Sequence, residues 1–512
     1  MTSATKTHPK TYDEALEVIE RLSTDLKLVR EQLQALLRQR FGPSADRFVD
    51  PNQLLLFGAT KAPSAADTTK KPEKKASSTT GQRNGRSEIP PHLERFREEL
   101  DPDEDERICP ICGKPMIKIG EDITEELDYQ RPKLRVKQIV RSKWACREDA
   151  QGVVTAPLPP RLIDKGRPGV SLLVFVIVAK YVDHMPLHRI ERQLARSGMR
   201  IHRSTLCDWI GAVASEVERI VELMRYQLTR GRYLQADETP VKARDPNVKH
   251  KMRQVYLFAY GVPWGEVVFQ YRKSRSGKGP LEFLEGFEGK VQVDEYSGYD
   301  ALFTEGSGRT RVGCWAHCRR KFVEAEKSEP SRVQAVLRVV RKGYRLDSLM
   351  REKGYSHEDR LRVRDRIYRP AADNLRQRLI DEVHDSSILP RSKYGKALRY
   401  LVNHWENLEQ PFLDGELELD NNGIESAIRP VAIGRKNWMH IGDVDAGDRA
   451  AIFYSLLVSC TRLGINPEEY LTDVLTRLPS CPASEIMELT PTEWKKARQL
   501  EQDAPAEETS SA

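Results

Sequence analysis

Long apolar runs are missing from this sequence. The longest, Val170 to Ala179, is about half of the ~20 residues a membrane-spanning helix needs. Nothing at Met1 reads as a charged leader followed by an apolar segment, so neither export nor membrane residence is expected. Cysteine is scarce: 8 in 512 residues cannot staple a scaffold of this size, and the scarcity suits a reducing cytoplasm. A strong charge of one sign is missing too. The 83 Lys+Arg and 76 Asp+Glu leave a formal net charge of +7, too little by itself to announce a nucleic-acid partner. What remains is 39% hydrophobic and 31% charged, a polar globular composition and not a fibrous or uniformly disordered one. The length calls for two or more folded units.

The first segment, 11–41, reads as one helix. Tyr12, Ala15, Ile19, Leu22, Leu26, Val29, Leu33 and Leu36 recur at alternating spacings of three and four, and Gly42-Pro43 ends the pattern. A helix on its own core is the plainer reading. The charged flanks and polar sequel favour a coiled coil through residues 12–36, and hence a homo-oligomer. Residues 59–90 are a flexible linker: large apolar side chains are almost absent, and 59–88 holds seven basic against three acidic residues. The seven acids of 98–106 form a solvated face.

A small module, 105–160, opens with Cys109-Pro-Ile-Cys112-Gly, two thiols on a tight turn as in a zinc half-site. The next cysteine is Cys146, beyond a strand-like Lys133 to Val140. A structural zinc wants four ligands, so a zinc site on Cys109, Cys112 and Cys146 stands against a metal-free hairpin with leftover thiols.

Residues 165–228 are helical, and 189–215 have the pattern of a helix-turn-helix. Ile190, Gln193 and Leu194 lie on a first helix, Ser197-Gly198 break it, and Ser204 has the right chemistry to cap a second carrying Leu206, Trp209 and Ile210. Five Arg against one Glu from 189 to 203 put positive charge at the second helix's start. Arg203 and Ser204 are therefore candidate DNA contacts, with an ordinary helical hairpin as the alternative.

From Tyr233 the period changes to that of strands. Tyr233–Ala236 runs into Asp237-Glu238-Thr239-Pro240, Val255–Tyr260 and Val267–Tyr271 flank a Gly261–Gly265 turn, Leu281–Phe287 is a short helix, Val291–Val293 runs into Asp294-Glu295, and Arg311–Trp315 is a fifth strand. Three antiparallel strands followed by helix–strand–helix–strand is the order of a ribonuclease H-like α/β sheet. Two acidic pairs then fall at strand ends, and because adjacent strand residues face opposite sides, one acid of each pair at most enters a common site. Two-metal phosphodiester chemistry needs such convergent carboxylates, but Asp before a turn is also ordinary turn chemistry. A third acid, Glu425, stands in Asn422-Gly-Ile-Glu425-Ser-Ala-Ile-Arg429-Pro430. Asn422 and Glu425 have capping-box spacing and Arg429 lies within ion-pair reach of Glu425, so the window alone leaves catalysis and helix capping open.

Four windows resemble the transposases of insertion-sequence-66-type mobile elements, whose catalytic domain is of the DDE type. They are Leu234–Pro240, Val291–Tyr299, Gly313-Cys-Trp-Ala-His317-Cys-Arg-Arg-Lys-Phe322 and Asn422–Trp438. The similarity extends through 450–478 and upstream into the heptad helix and cysteine module. The resemblance implies a multidomain α+β chain: coiled-coil helix, small cysteine module, helix-turn-helix, and a ribonuclease H-like catalytic domain at 229–478 with a helical insertion at about 323–412. It implies Asp237, Asp294 and Glu425 as ligands of two Mg²⁺ or Mn²⁺ ions that drive DNA cleavage and strand transfer. It implies as partners the element ends, target DNA and small accessory proteins of the same element, in a nucleoid-associated setting. The family's second cysteine pair is replaced by Cys146 followed by Arg147-Glu148-Asp149, which weakens the case for zinc. A catalytically silent DNA-binding derivative and a nuclease that cuts without joining are the alternatives.

Around the site, Arg309, Arg311, Arg319, Arg320 and Lys321 form one basic track and Arg429, Arg435 and Lys436 another, read as phosphate contacts with surface ion pairing as the alternative. Trp315 and Trp438 are expected in the core; His317 reads as a group lining the site in preference to a metal ligand, with a satisfied structural histidine as the plainer alternative. Residues 479–512 read as a tail. The four basic stretches sum to +16, leaving −9 for the rest of the chain: an acidic scaffold with focused basic tracks, as a nucleic-acid partner requires.

Overall fold

The computed structural model describes residues 168–249 and 251–503, with the short pieces 134–140, 143–145, 153–155, 160–163 and Gly166 ahead of them. The expected coiled coil, the basic linker and Cys109, Cys112 and Cys146 lie outside the described residues. Of the cysteine module, strand β1 (Lys143–Ala145) pairs antiparallel with β2 (Val153–Thr155). Residues 134–140, expected as a strand, carry no strand assignment, and Val136 and Val140 are exposed.

The apolar run Val170–Ala179 becomes α1 (Val170–Tyr181), buried on most sides. It is followed by α2 (Leu187–Arg196) and α3 (Arg203–Thr229). Gly198, at φ +99°, makes the turn between the last two, a conformation costly for any residue with a Cβ. The expected cap is corrected: the His202 side chain accepts from the Ser204 amide, so Ser204 lies inside the first turn. The second helix runs for 27 residues, because Leu206, Ile210, Val213, Val217, Ile220 and Met224 extend one buried face far beyond a two-helix motif. Among the described residues no helix is long and apolar enough to cross a membrane.

A five-stranded mixed sheet follows, built from β3 (Tyr233–Arg244), β4 (Met252–Gly261), β5 (Val267–Arg272), β6 (Gly289–Gln292) and β7 (Arg309–Val312) in the order β5-β4-β3-β6-β7. The β3–β4 and β4–β5 pairs are antiparallel, β3–β6 and β6–β7 parallel. Between them lie α4 (Lys278–Phe283) and a 3₁₀ turn at Ser297–Phe303. Two expectations shift. The first strand continues through Asp237 and Pro240 to Arg244, since β4 pairs with it over its whole outer half. The fifth strand ends at Val312, and Trp315 opens a helix instead.

Residues 315–412 are helical: α5 (Trp315–Ala325), α6 (Pro330–Glu352), α7 (His357–Val363), a π turn at Arg364–Tyr368, α8 (Arg369–Val383), α9 (Lys393–Asn403) and α10 (Trp405–Leu408). The stretch 338–354 of α6 falls in a compact unit separate from the sheet. The chain then returns to the sheet with α11 (Asn422–Trp438) and α12 (Gly447–Leu463).

Helix α12 covers the free edge of β5. Ser459 Oγ accepts from the Val267 amide at 2.9 Å and donates to its carbonyl at 3.1 Å, and Ser455 Oγ accepts from the Phe269 amide at 2.8 Å. These bonds satisfy an edge that would otherwise invite a foreign strand. The segment from 479, expected as a tail, is folded up to Asp503: α13 (Pro467–Arg477) is followed by α14 (Pro491–Asp503), whose Trp494 is buried and donates to Asp473 on α13.

Candidate active site at the parallel edge of the central strand

The parallel register of β3 and β6 organises the site. Gln235 stands opposite Gln292, and two residues further along each chain come Asp237 and Asp294. Residues two apart share a face of a strand, so both aspartates follow their glutamines onto one face of the sheet. The glutamines confirm that shared face by bonding each other, Gln235 Nε2 to Gln292 Oε1 at 2.8 Å. Asp294 turns back to accept from the Tyr296 amide at 3.0 Å, and Asp237 accepts from the Glu238 amide at 2.9 Å.

The second acid of each pair is used for structure. Glu238 faces the other side, where Arg275 forms an ion pair with it and Tyr299 donates to it at 2.5 Å. Glu295 is held by Arg311 at 3.3 Å and by His404 Nδ1 at 3.1 Å. Glu238 and Glu295 are thus occupied by partners of the fold, whereas Asp237 and Asp294 accept only from nearby backbone amides and have no ion pair among the described residues.

Helix α11 carries Glu425 onto the same face. Gly423 sits in its first turn, where an added Cβ would come 2.9 Å from Gln235 Oε1, so a larger residue there would have to displace the Gln235 amide for the helix to start this close to β3. The capping box is not formed. Asn421 is the residue before the helix, and Asp420 instead accepts from the Asn422 amide at 3.0 Å and from its side chain at 2.7 Å. Glu425 is thereby released from capping, and among the described residues Arg429 makes no ion pair with it. The imidazole of His317 lies beside it, with Nε2 3.7 Å from Glu425 Oε1. That oxygen and His317 Nδ1 are both buried without a hydrogen-bond partner.

Three carboxylates on one face repel each other when ionised. Burial, then the charges of Glu238, Glu425 and Asp294, push the Asp237 carboxyl well above its ordinary range. Burial also raises Glu425; Arg320 pulls it back, while Asp420 and Asp294 push it further up. His317 is lowered, first by burial and then by Arg320. Such a cluster holds a deficit of positive charge, and all its donors are hard oxygens, which fits Mg²⁺ or Mn²⁺.

A frame of buried polar groups fixes these elements. Gln292 Nε2 donates to the carbonyls of Gly313 (3.1 Å) and Glu418 (2.9 Å), and its Oε1 accepts from Tyr233 Oη at 2.5 Å as well as from Gln235. Gln235 Nε2 also reaches the Asp420 carbonyl at 2.9 Å. The strands, the loop before α5 and the loop before α11 are thus tied together. Arg462 adds a clamp from α12, donating to the carbonyls of Gly423 (2.6 Å), Gly265 (2.7 Å) and Val262 (2.8 Å); burial lowers it to about 10. The motif patterns single out neither Gln292 nor Arg462; their positions just before Asp294 and on a buried helix were the available signals.

The basic tracks divide. Arg309 donates to the carbonyls of Phe287 and Leu284, and Arg311 pairs with Glu295 and Asp300. Arg435 donates to the Pro240 carbonyl at 2.7 Å and to Thr239. These three are engaged by carbonyls, a hydroxyl and acids of the fold. Arg320, Lys321, Arg429 and Lys436 are exposed and have no ion-pair partner among the described residues. Arg320 and Lys321 follow His317 by three and four residues, and Arg429 and Lys436 follow Glu425 by four and eleven, so each set shares a helical face with its site residue. Arg319 lies half a turn away from His317. Arg203 and Ser204 are exposed at the start of α3. Trp315 is core, 1% exposed and donating to the Leu408 carbonyl, and Trp438 is half-buried.

Comparison with known proteins adds four family matches. Residues 165–449 match the Transposase IS66 family, 106–148 the zinc-finger binding domain of transposase IS66, 455–492 the IS66 C-terminal element, and 28–97 the Transposase C of IS166 homeodomain. Relatives in Sinorhizobium fredii include the uncharacterized protein y4jD, 30% identical over 500 residues that cover 93% of this chain and 96% of that protein. Another is the uncharacterized protein y4qI, 33% identical over 422 residues, 79% of this chain and 76% of that protein.

Proposed function

The chain belongs to the Transposase IS66 family, and from that premise we propose that it cuts DNA at the ends of a mobile element and joins the freed ends to a target. The observation that supports this reading is that the three carboxylates feel one another's charge: Glu425 and Asp294 both raise Asp237, and Asp294 raises Glu425, with the two aspartates each two residues beyond the register-matched Gln235 and Gln292 and Glu425 on α11. The strand order and directions of the sheet favour a ribonuclease H-like catalytic domain of the DDE type. Two Mg²⁺ or Mn²⁺ ions, when bound, would activate the attacking oxygen and stabilise the leaving one.

The chain's own residues do the positioning. Asp237, Asp294 and Glu425 would hold the ions, and Asp237, raised by burial and then by the charges of Glu238, Glu425 and Asp294, gains most from added positive charge. His317, beside Glu425 and kept largely neutral by burial, would contact the scissile phosphate or orient Glu425. Arg320, Lys321, Arg429 and Lys436 lie along the faces of α5 and α11 that carry His317 and Glu425, and would track the phosphate backbone. Arg203 and Ser204, with Arg319 further round α5, are contacts with DNA away from the reacting bond. The match over 106–148 supports zinc on Cys109, Cys112 and Cys146 as part of end recognition, and residues 12–36 remain the proposed route to a homo-oligomer. Accessory proteins of the same element are expected partners.

The test uses a supercoiled plasmid carrying this reading frame with its native flanking DNA, and Mg²⁺ or Mn²⁺. Asp237→Asn, Asp294→Asn and Glu425→Gln should each lose cleavage by roughly a hundredfold or more while retaining DNA binding. Near-wild-type cleavage in any of them removes that residue from the site. Cleaved ends that never join a target would make the protein a nuclease.

A further inference from the structure

We propose that Cys314, His317 and Glu425 form a zinc site that withdraws Glu425 from the proposed carboxylate triad and so switches the protein off. One ligand atom from each residue, a thiol sulfur, an imidazole nitrogen and a carboxylate oxygen, lies within 4.8 Å of the other two. Cys314 precedes α5 and His317 stands in its first turn, a Cys-x-x-His pair across a strand-to-helix junction. In sequence the pair lacks a third ligand. The fold supplies it from α11, more than a hundred residues away.

The geometry suits a small tetrahedral ion. Zinc binds sulfur at about 2.3 Å and nitrogen or oxygen at about 2.0–2.2 Å, which spaces tetrahedral ligand atoms roughly 3.3–3.8 Å apart. His317 Nε2 and Glu425 Oε1 are 3.7 Å apart, too far for a hydrogen bond and close to that spacing. Glu425 Oε1 has no hydrogen-bond partner although it is buried. Cys314 is 1% exposed, so its sulfur faces the interior cluster and not solvent. Cys318, equally buried, takes no part in the cluster.

Ligand chemistry separates this site from the triad. Mg²⁺ takes oxygen ligands and does not favour a thiolate, whereas a sulfur–nitrogen–oxygen set with one open position is characteristic of Zn²⁺. On binding, the Cys314 thiol loses its proton to water and the sulfur joins the ion as thiolate; no redox partner is required. With Oε1 on zinc, Glu425 keeps only Oε2 for the ions of the triad and is drawn toward Cys314, away from the aspartates. The inhibitory consequence rests on the proposed function, but the site itself does not.

The experiment uses the full chain carrying Cys109→Ser and Cys112→Ser, which removes the other paired thiols. Titration with Co²⁺ should produce a thiolate-to-cobalt charge-transfer band saturating at one ion per chain. The band should vanish in Cys314→Ala, and His317→Gln should weaken binding tenfold or more. An unchanged band in Cys314→Ala overturns the site. Should Cys314→Ala fail to fold by circular dichroism, Glu425→Gln, whose side chain is 29% exposed, replaces it and should also weaken Co²⁺ binding tenfold or more; unaltered binding there overturns the site equally. In a second arm, Mg²⁺-dependent plasmid cleavage is followed against added Zn²⁺, each protein normalised to its own zinc-free rate. The half-inhibiting Zn²⁺ concentration should rise tenfold or more in Cys314→Ala; equal inhibition overturns the competition. A wild-type protein that cleaves nothing defeats the functional reading, and the cobalt titration then decides the site alone.

Discussion

Replacing Gln292 by Leu tests whether the buried polar frame, and not the carboxylates alone, builds the site. Gln292 is 0% exposed and Leu has nearly its volume, so the change opens little cavity and its cost lies in stranded polar groups. The carbonyls of Gly313 and Glu418 each lose a donor at about hydrogen-bond distance, 3.1 and 2.9 Å, and the Tyr233 hydroxyl loses its acceptor. Gln235 keeps the Asp420 carbonyl. At about 1–3 kcal/mol for each buried group left unpaired, the three groups make Gln292→Leu cost about 3–9 kcal/mol, a large part of the 5–15 kcal/mol typical of a domain. The assay is urea unfolding, read as a fall in midpoint at constant slope. A double-mutant cycle sharpens it. Gln235→Leu removes the donor to the Asp420 carbonyl and one of the two donors to Gln292 Oε1, which keeps Tyr233; because the bond between the two glutamines is lost in either single variant, the double variant should cost about 0.5–1.5 kcal/mol less than the sum. The single variant should also lose DNA cleavage, because Glu418 and Gly313 lead into α11 and α5. A loss under about 1 kcal/mol, or strict additivity, would refute the frame.

Four further outcomes follow from contacts elsewhere in the fold. Burial alone would raise Glu295, but its bonds to His404, Arg311 and Asn407 outweigh that and hold it below its ordinary value of 4.5; the stability it contributes is present above 4.5 and is lost as pH falls through the depressed folded value, so Glu295→Gln should flatten the acid limb of a stability–pH profile. Burial raises Glu266, whose sign is opposite: stability falls as pH rises from 4.5 through the raised folded value, and Glu266→Gln should remove that fall. Gly447→Ala would bring a Cβ within 2.2–2.4 Å of the Tyr271 ring, which is held by its bond to the Val444 carbonyl, and should lower stability by about 1–3 kcal/mol in thermal unfolding. Arg429→Ala with Lys436→Ala should weaken DNA binding and reduce the salt slope by about two, whereas Arg435→Ala should lower stability and leave that slope unchanged.

How far the sequence could be read depended on whether a residue's partner is near in the chain. Strand order followed from local periodicity, and parity reduced each acidic pair to one site residue. Which residue needed the partners that occupy Glu238 and Glu295, and the β3–β6 pairing that sets the two strand ends side by side joins segments some 57 residues apart. Local pattern misled where it offered a local partner. Asn422 and Glu425 have capping spacing, yet Asp420 takes the cap; Ser204 has cap chemistry, yet His202 is placed first. Charge counts failed for the same reason. Arg309 and Arg435 look like Arg320 and Arg429 in a string of letters, but carbonyls distant in the chain, of the turn at Leu284 and of β3 at Pro240, engage the first two.

The same reasoning explains why one helix start can serve two chemistries. Gly423 lets α11 approach β3, and that approach sets Glu425 beside the Asp237 face and beside His317. A carboxylate so placed is shared between hard oxygen neighbours on the sheet and softer sulfur and nitrogen neighbours at the start of α5. Neither side satisfies it in the folded chain, since its Oε1 has no partner, and its raised proton affinity is the electrostatic measure of that lack. Added positive charge is what would relieve it, and the identity of the cation decides the outcome: one that prefers oxygen draws Glu425 toward the aspartates, one that accepts sulfur draws it toward Cys314. Selection between the two therefore resides in the ligand set around a single side chain, and Cys314→Ala should abolish the choice while leaving all three carboxylates in the sequence.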